Sequence, residues 1–289
     1  MFILKVENTL NQIVTLTQNE SAYQIIGIDG LNPPQAVINS SVVAGMDGSK
    51  FNSSRLAERN IVITIRLNGN VRENRLFLYR YFRSKQWCKL YYNNDLRNVY
   101  IEGYVETIEV DHFSQSETMQ ISIVCQNPYF KSLNEIVNDI SKSLAVFEFP
   151  FAIGDGIGTD DPVEISTVDM NKVAQIVNNS EIETGLIIEL TFTGQATNPI
   201  IREVLRDNSF FGIKGTFTTG DKIVIDTNQG NKKITLYHNG VASNIFNQIV
   251  KGSTWFKLAI GDNQYQYTAD EGSEVTFIKF KHYNLYEGV

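Results

Sequence analysis

The chain is short of the residues that usually carry out chemistry. Its three histidines, His112, His238 and His282, lie far apart and none has a partner at motif spacing, so a His-centred metal site or His-based catalysis has no foothold. The two cysteines, Cys88 and Cys125, sit in apolar segments without Cys-x-x-Cys spacing. Both read as buried and reduced, behaving as small hydrophobes. There is no Gly-x-Ser-x-Gly elbow and no Gly-Lys-Ser/Thr phosphate loop, and "GMDGSK" has the glycines of such a loop but not its spacing. Two carboxylates would suffice for a glycosidase, which the sequence leaves open, but nothing in the pattern marks a pair. No catalytic residue, cofactor or metal is implied, and the chain does not read as an enzyme.

Long apolar runs are missing too. None is long enough to cross a bilayer, and "MFILKV" is too short for the apolar region of a signal peptide. The expectation is a protein made in the cytoplasm, with no membrane insertion and no use for Asn-x-Ser/Thr triplets such as those at Asn39, Asn52 and Asn178. A basic stripe is also absent: the net charge is −7, with the acidic excess beyond Lys131 and the first part near neutral. Such a balance does not hold nucleic acid by counterion release.

What is present is β-sheet material. Hydrophobic residues make up 42% of the 289 and aromatics 11%, enough for two domains with cores of their own. Strand candidates "FILKV", "QIVTL" and "YQIIGI" open the chain, followed by a long polar stretch over 30–60 that reads as a contact-making loop. "IVITIRL" alternates cleanly, with Ile61, Ile63, Ile65 and Leu67 on one face, as a half-buried strand requires. An amphipathic helix over 71–85 comes next, its apolar stripe built from Val71, Leu78 and Phe82 and widened by Leu76, Phe77 and Tyr81. The strands "WCKLYY", "VYIEGYVETIEV" and "TMQISIVCQ" complete a first domain over 1–131.

"SLNEIVNDISKSL", residues 132–144, reads as a short connecting helix. From 145 to 289 almost everything is strand and turn, including "AVFEFPF", "VEIST", "DKIVIDT", "KKITLYHN" and "WFKLAIG", the pattern of a β-sandwich. The loop "GDGIGTDDP" suggests a phosphate or calcium site at first sight. The strand pattern after it denies the helix that a phosphate loop needs, and Asp155, Asp160 and Asp161 lack EF-hand spacing. It reads as a hairpin tip.

Three stretches, taken in order, resemble a known family. "GMDGSKFNSSRLAERNIVITIRL" runs from a Gly-Asp-Gly turn through an Arg-containing loop into the alternating strand, and "ISIVCQNPYFKS" closes the first domain. "NNSEIETGLIIELTFTGQATNPII" leads to "GDKIVIDTNQGNKKITLYHNGV" and a terminal "YEGV". Together they resemble the distal tail proteins of long-tailed bacteriophages, the baseplate components of the broader phage tail protein family.

The resemblance implies a mainly β protein, with an N-terminal β-sheet domain carrying one packed helix and a C-terminal galectin-like β-sandwich. It implies a homohexameric ring at the distal end of the virion tail, joining the tail tube protein to the tail tip or hub protein, with a receptor-binding protein as a further partner. DNA would pass through the central channel without specific binding. A closed ring needs two different patches on each copy. The loop 30–60 and the helix supply candidates: Asp47, Lys50, Arg55, Arg59, Arg72, Arg75 and Arg83. The galectin-like label also raises an alternative, a carbohydrate-binding module for host adsorption. The His, Asn, Arg and Trp pattern of such lectins is not reproduced, however: His238-Asn239-Gly240 reads as a hairpin turn and Trp255 as a core or rim residue.

Overall fold

The computed structural model describes residues 2–19, 22–112, 114, 116–139 and 172–289. It divides into two compact units, Met1–Asn134 together with Tyr283–Val289, and Glu135–His282.

The first unit is built on one antiparallel sheet. Its strands are β1 (Ile3–Asn8), β2 (Ile13–Leu16), β3 (Tyr23–Asp29), β6 (Arg59–Leu67), β7 (Trp87–Asn93), β8 (Asn98–Val110) and β9 (Thr118–Cys125), in the order β2-β1-β7-β8-β9-β6-β3. Period-two alternation decides which face is buried: Ile61, Ile63, Ile65 and Leu67 of β6 lie inside beside Met119, Ile121, Ile123 and Cys125 of β9. Gly103 in β8 faces this packing closely, since a Cβ there would stand 2.7 Å from the Val124 carbonyl.

The sequence expects a polar loop over 30–60, and the structure places a hairpin there. Strands β4 (Ala36–Ser41) and β5 (Lys50–Leu56) pair with each other and with neither large sheet.

Helix α1 (Val71–Tyr81) is shorter than the expected 71–85. Phe82 is already extended, Lys85 takes φ 68°, and the backbone N–H of Lys85 donates to Val105 O at 2.8 Å. The chain is drawn into sheet pairing one turn early. Leu78, Tyr81 and Phe82 are buried, a gain of about 2 kcal/mol for each aliphatic or aromatic side chain removed from water. Tyr81 also donates its hydroxyl to Val6 O at 2.5 Å, tying the helix to the sheet beneath it. Leu76 and Phe77 do not join the stripe: they are 51% and 45% exposed.

After β10 (Phe130–Ser132) the chain leaves the first unit, and after residue 282 it returns. The segment expected to be a connecting helix over 132–144 instead forms a strand, β11 (Ile136–Asp139), which extends a sheet edge; its remainder from 140 lies outside the described residues.

The second unit is a sandwich. One sheet holds β11, β13 (Ile187–Phe192), β18 (Lys222–Asp226), β19 (Lys233–His238), β20 (Val241–Asn244) and β22 (Thr276–His282), in the order β11-β22-β13-β18-β19-β20. The other is β12 (Lys172–Asn178), β21 (Gly261–Thr268), β15 (Ile200–Glu203) and β16 (Phe210–Gly212), in that order, with β14 (Ala196–Thr197) and β17 (Thr216–Phe217) as a small separate pair. Inward residues of both sheets, among them Ile188, Leu190, Ile225 and Phe280 on one side and Ile176, Ile201 and Tyr265 on the other, make one core.

"KKITLYHN" turns as expected: His238 pairs with Val241 across Asn239 at φ 51° and Gly240 at φ 78°, the two positive values of a two-residue hairpin turn. "WFKLAIG" is not the expected strand. It is an irregular segment with one isolated bridge, Leu258 to Thr184, both outside the named strands, and its aromatic residues pack through their side chains instead. "AVFEFPF", "VEIST" and the "GDGIGTDDP" loop lie outside the described residues.

The last strand, β23 (Leu285–Tyr286), pairs with Phe130 and Lys131 of β10 in the first unit. Ser132 and Asn284 seal the two crossings: Ser132 N–H donates to Asn284 O at 2.9 Å and Asn284 N–H to Ser132 Oγ at 3.1 Å.

Candidate assembly interface

The hairpin β4–β5 is the part of the first unit with the least support of its own. A two-stranded hairpin is marginal in water unless another surface covers it, and this one exposes large apolar side chains. Val42 is 82% and Phe51 61% exposed, with Ile38 and Met46 exposed beside them. Asp47, Lys50 and Arg55 lie on the same hairpin, all exposed. Lys50 and Arg55 make no side-chain ion pair among the described residues.

The outer face of α1 is the second such surface. Arg72 is exposed there with Leu76 and Phe77; Arg83, just beyond the helix, is exposed too, and its Nε donates to the Arg80 carbonyl at 3.2 Å. Arg75 is more committed, since its Nη1 pairs with Glu117 Oε2 at 2.8 Å and meets His112 Nδ1 at 3.1 Å. That bridge ties the helix to the start of β9 and holds the outer face in place.

Arg59 is a correction to the interface set. It is 2% exposed, on the inward face of β6 in step with Ile61, and its guanidinium serves its own unit. Nε donates to Pro128 O at 2.7 Å, Nη1 to Gly30 O and Asn32 O at 2.5 and 2.7 Å, and Nη2 to Glu287 O at 2.5 Å, with the cation 4.6 Å from the Phe130 ring centre. All these acceptors are backbone carbonyls, which the fork of an arginine can serve together and a lysine cannot. The roots of the hairpin at 30–32 and the end of the chain are therefore held by one side chain. Sequence reasoning missed this role, although the signal was there: Arg59 falls on the buried phase of the alternation that begins at Ile61.

Among the described residues no group of His, Cys, Asp and Glu is placed to hold a metal ion. Cys88 and Cys125 are free and buried, and burial pushes both thiols up to about 12.

Two family models match the chain in sequence, in order and without overlap. A phage tail protein RIFT-related domain matches residues 15–125, and the C-terminal domain of a siphovirus-type tail component matches residues 179–283. Both are domains of phage tail proteins, the second that of a siphovirus-type tail component, and the chain carries them in that order. As a siphovirus-type tail component it is a structural protein of a phage tail or baseplate, and its family and fold are those of structural rather than catalytic proteins.

The solved structures agree in fold. The SPP1 Dit protein, described as a paradigm of the hub adsorption apparatus in phages infecting Gram-positive bacteria, aligns with a TM-score of 0.67 at 13% identity, over 98% of this chain and 99% of that one. A chain of the phage P2 baseplate in its activated conformation with Ca aligns with a TM-score of 0.51 at 12% identity, over 98% of both chains. No curated protein matches this siphovirus-type tail component in sequence.

Proposed function

We propose that this tail component assembles as a homohexameric ring at the distal end of the tail, joining the tail tube to the baseplate or tail tip. The observation that carries the reading is the uncovered β4–β5 hairpin. It projects apolar side chains to solvent, it is rooted rigidly by Arg59, and the outer face of α1 offers a different apolar patch at Leu76 and Phe77. A hairpin that meets the α1 face of the next copy makes a head-to-tail contact, which closes into a ring when the rotation per copy allows. The ring would receive the tail tube protein on one side and a tail tip or hub protein on the other, with a receptor-binding protein attached outside. A channel through the near-neutral first unit would let DNA pass without holding it.

Cross-linking tests the contact. Val42→Cys and Phe77→Cys are introduced together; the natural cysteines, buried with raised pKa, stay out of the reaction. Mild oxidation should give a ladder of covalent species that ends at six chains. No cross-link between copies under conditions where the protein oligomerises would place the interface elsewhere.

A further inference from the structure

We propose that Asn239 is a site of self-modification: its side-chain amide is expelled as ammonia by the main-chain nitrogen of Gly240, with His238 as the proton donor, leaving aspartate or isoaspartate at the tip of the β19–β20 hairpin.

The sequence sets His238, Asn239 and Gly240 side by side, and the fold adds a group behind them. Asp221 and His238 lie one step beyond the last β18–β19 pair, Lys222 with Tyr237, so they face each other across the two strands. Asp221 Oδ1 stands 2.5 Å from His238 Nδ1, while Oδ2 accepts from the N–H and the hydroxyl of Thr218 at 2.8 and 3.2 Å. Burial of Asp221 alone would raise its pKa, but the hydrogen bonds from Thr218 and His238 outweigh it and lower the value. An ionised carboxylate only accepts, so Nδ1 carries a proton and the free ring position is Nε2. Nε2 lies 3.0 Å from Asn239 Nδ2. A buried carboxylate, an imidazole and an exposed carboxamide thus stand in line, and the line ends on the nitrogen that has to leave.

The reaction needs no co-reactant except water. The Gly240 nitrogen gives up its proton to solvent and bonds to Asn239 Cγ. The Cγ–Nδ2 bond then breaks, and because an amide anion leaves poorly, the nitrogen departs as ammonia with a proton from Nε2 of the imidazolium, which solvent restores. Water opens the remaining cyclic imide at either carbonyl and gives aspartate or isoaspartate. Glycine at 240 leaves the attacking nitrogen unshielded: no neighbouring atom lies within 4 Å of where a Cβ would stand, and residues 238–240 are all exposed.

The chain's other Asn-Gly pair, Asn68-Gly69, separates sequence from geometry. Gly69, at φ 63°, is equally open. Asn68, however, is half-buried, donates its main-chain N–H to Ala22 O at 2.9 Å and accepts at its main-chain carbonyl from Asn74 Nδ2 at 2.7 Å. Among the described residues no imidazole is bonded to it, and His112 meets Arg75 instead.

The product matters for the edge of the sandwich. β20 pairs with β19 alone, and isoaspartate adds a main-chain methylene to a two-residue turn whose geometry sets the register. Modification would loosen β20 in aged protein, whatever the first unit assembles into.

The test incubates the folded full chain at neutral pH and follows Asn239 and Asn68 by peptide mass spectrometry, which detects an acid in place of an amide and separates aspartate from isoaspartate. Both products should accumulate at Asn239 at least about tenfold faster than at Asn68, and His238→Gln should slow Asn239 by about tenfold. The variant also separates proton donation from mere support, since a turn loosened by the loss of His238 would react faster. In urea the preference for Asn239 should shrink, because Asp221 no longer backs the imidazole. Asn239 that stays intact, equal rates at the two sites in the folded chain, a preference undiminished by unfolding, or an unchanged or raised rate in His238→Gln would overturn the proposal.

Discussion

The guanidinium of Arg59 donates a 2.5 Å hydrogen bond to the main-chain carbonyl of Glu287, 228 positions later in the chain. Through that bond and its contacts with Gly30, Asn32 and Pro128, one buried cation joins the hairpin root, the end of the main sheet and the chain's last residues. Removal of the side chain would leave several carbonyls without partners. Arg59→Ala should therefore lower stability by roughly 3–5 kcal/mol, and Arg59→Lys by much of that, as measured by urea unfolding of the purified chain. A midpoint unchanged in both variants would contradict the role given to Arg59.

His282 ends β22 with its imidazole buried and neither ring nitrogen partnered. Burial lowers its pKa. The folded state thus favours neutral imidazole, while the unfolded chain takes up a proton near the ordinary value of about 6.5. Below that pH the unfolded state binds more protons, so stability falls as pH drops from 7.5 towards 5.5. The urea midpoint should fall over this range in the wild type and fall less in His282→Leu. Asp221 and Glu189 do not produce this effect: for each, burial raises the pKa but hydrogen bonds outweigh it, from Thr218 and His238 for Asp221 and from Lys281 and Lys222 for Glu189. Their pKa values are lowered, so their contributions are complete above the ordinary carboxylate range and lost only in acid below it.

Cys88 and Cys125 should resist alkylation in the native protein at neutral pH, because the thiolate is the reactive form and both thiols are buried with pKa values near 12. Mass spectrometry after iodoacetamide should find neither modified until denaturant is added, and then both. Rapid labelling of the native chain at either position would show that the first-unit core opens more readily than its packing implies.

The hairpin should matter for assembly and little for folding. Phe51→Asp combined with Val42→Asp places charge on side chains that touch nothing within the chain's core, so the cost in stability should stay within about 0.5 kcal/mol. The loss of association should be complete in sedimentation experiments. Unaltered assembly would move the interface away from β4–β5.

The sequence made the local features legible and missed the long-range ones. The alternation of Ile61, Ile63, Ile65 and Leu67, the helical stripe through Leu78 and the Asn239-Gly240 turn are all local patterns, and each appears in the fold. The early end of α1 is set by pairing of Lys85 with Val105, twenty residues away, which periodicity does not record. The hairpin was hidden because β4 and β5 bury almost nothing, so the inside–outside contrast that marks a strand is absent. The return of Leu285 and Tyr286 to Phe130 and Lys131 is invisible for the opposite reason: a short strand signals its type but not its partner.

The most direct test of the central claim is the mass and shape of the assembled particle, by light scattering after size exclusion with negative-stain imaging of the same peak, alone and with tail tube protein added. The account predicts a species near six times 32.7 kDa, seen as a closed ring with a central opening. A protein that stays monomeric in both conditions, or assembles into an open chain or a ring of another order, would contradict it.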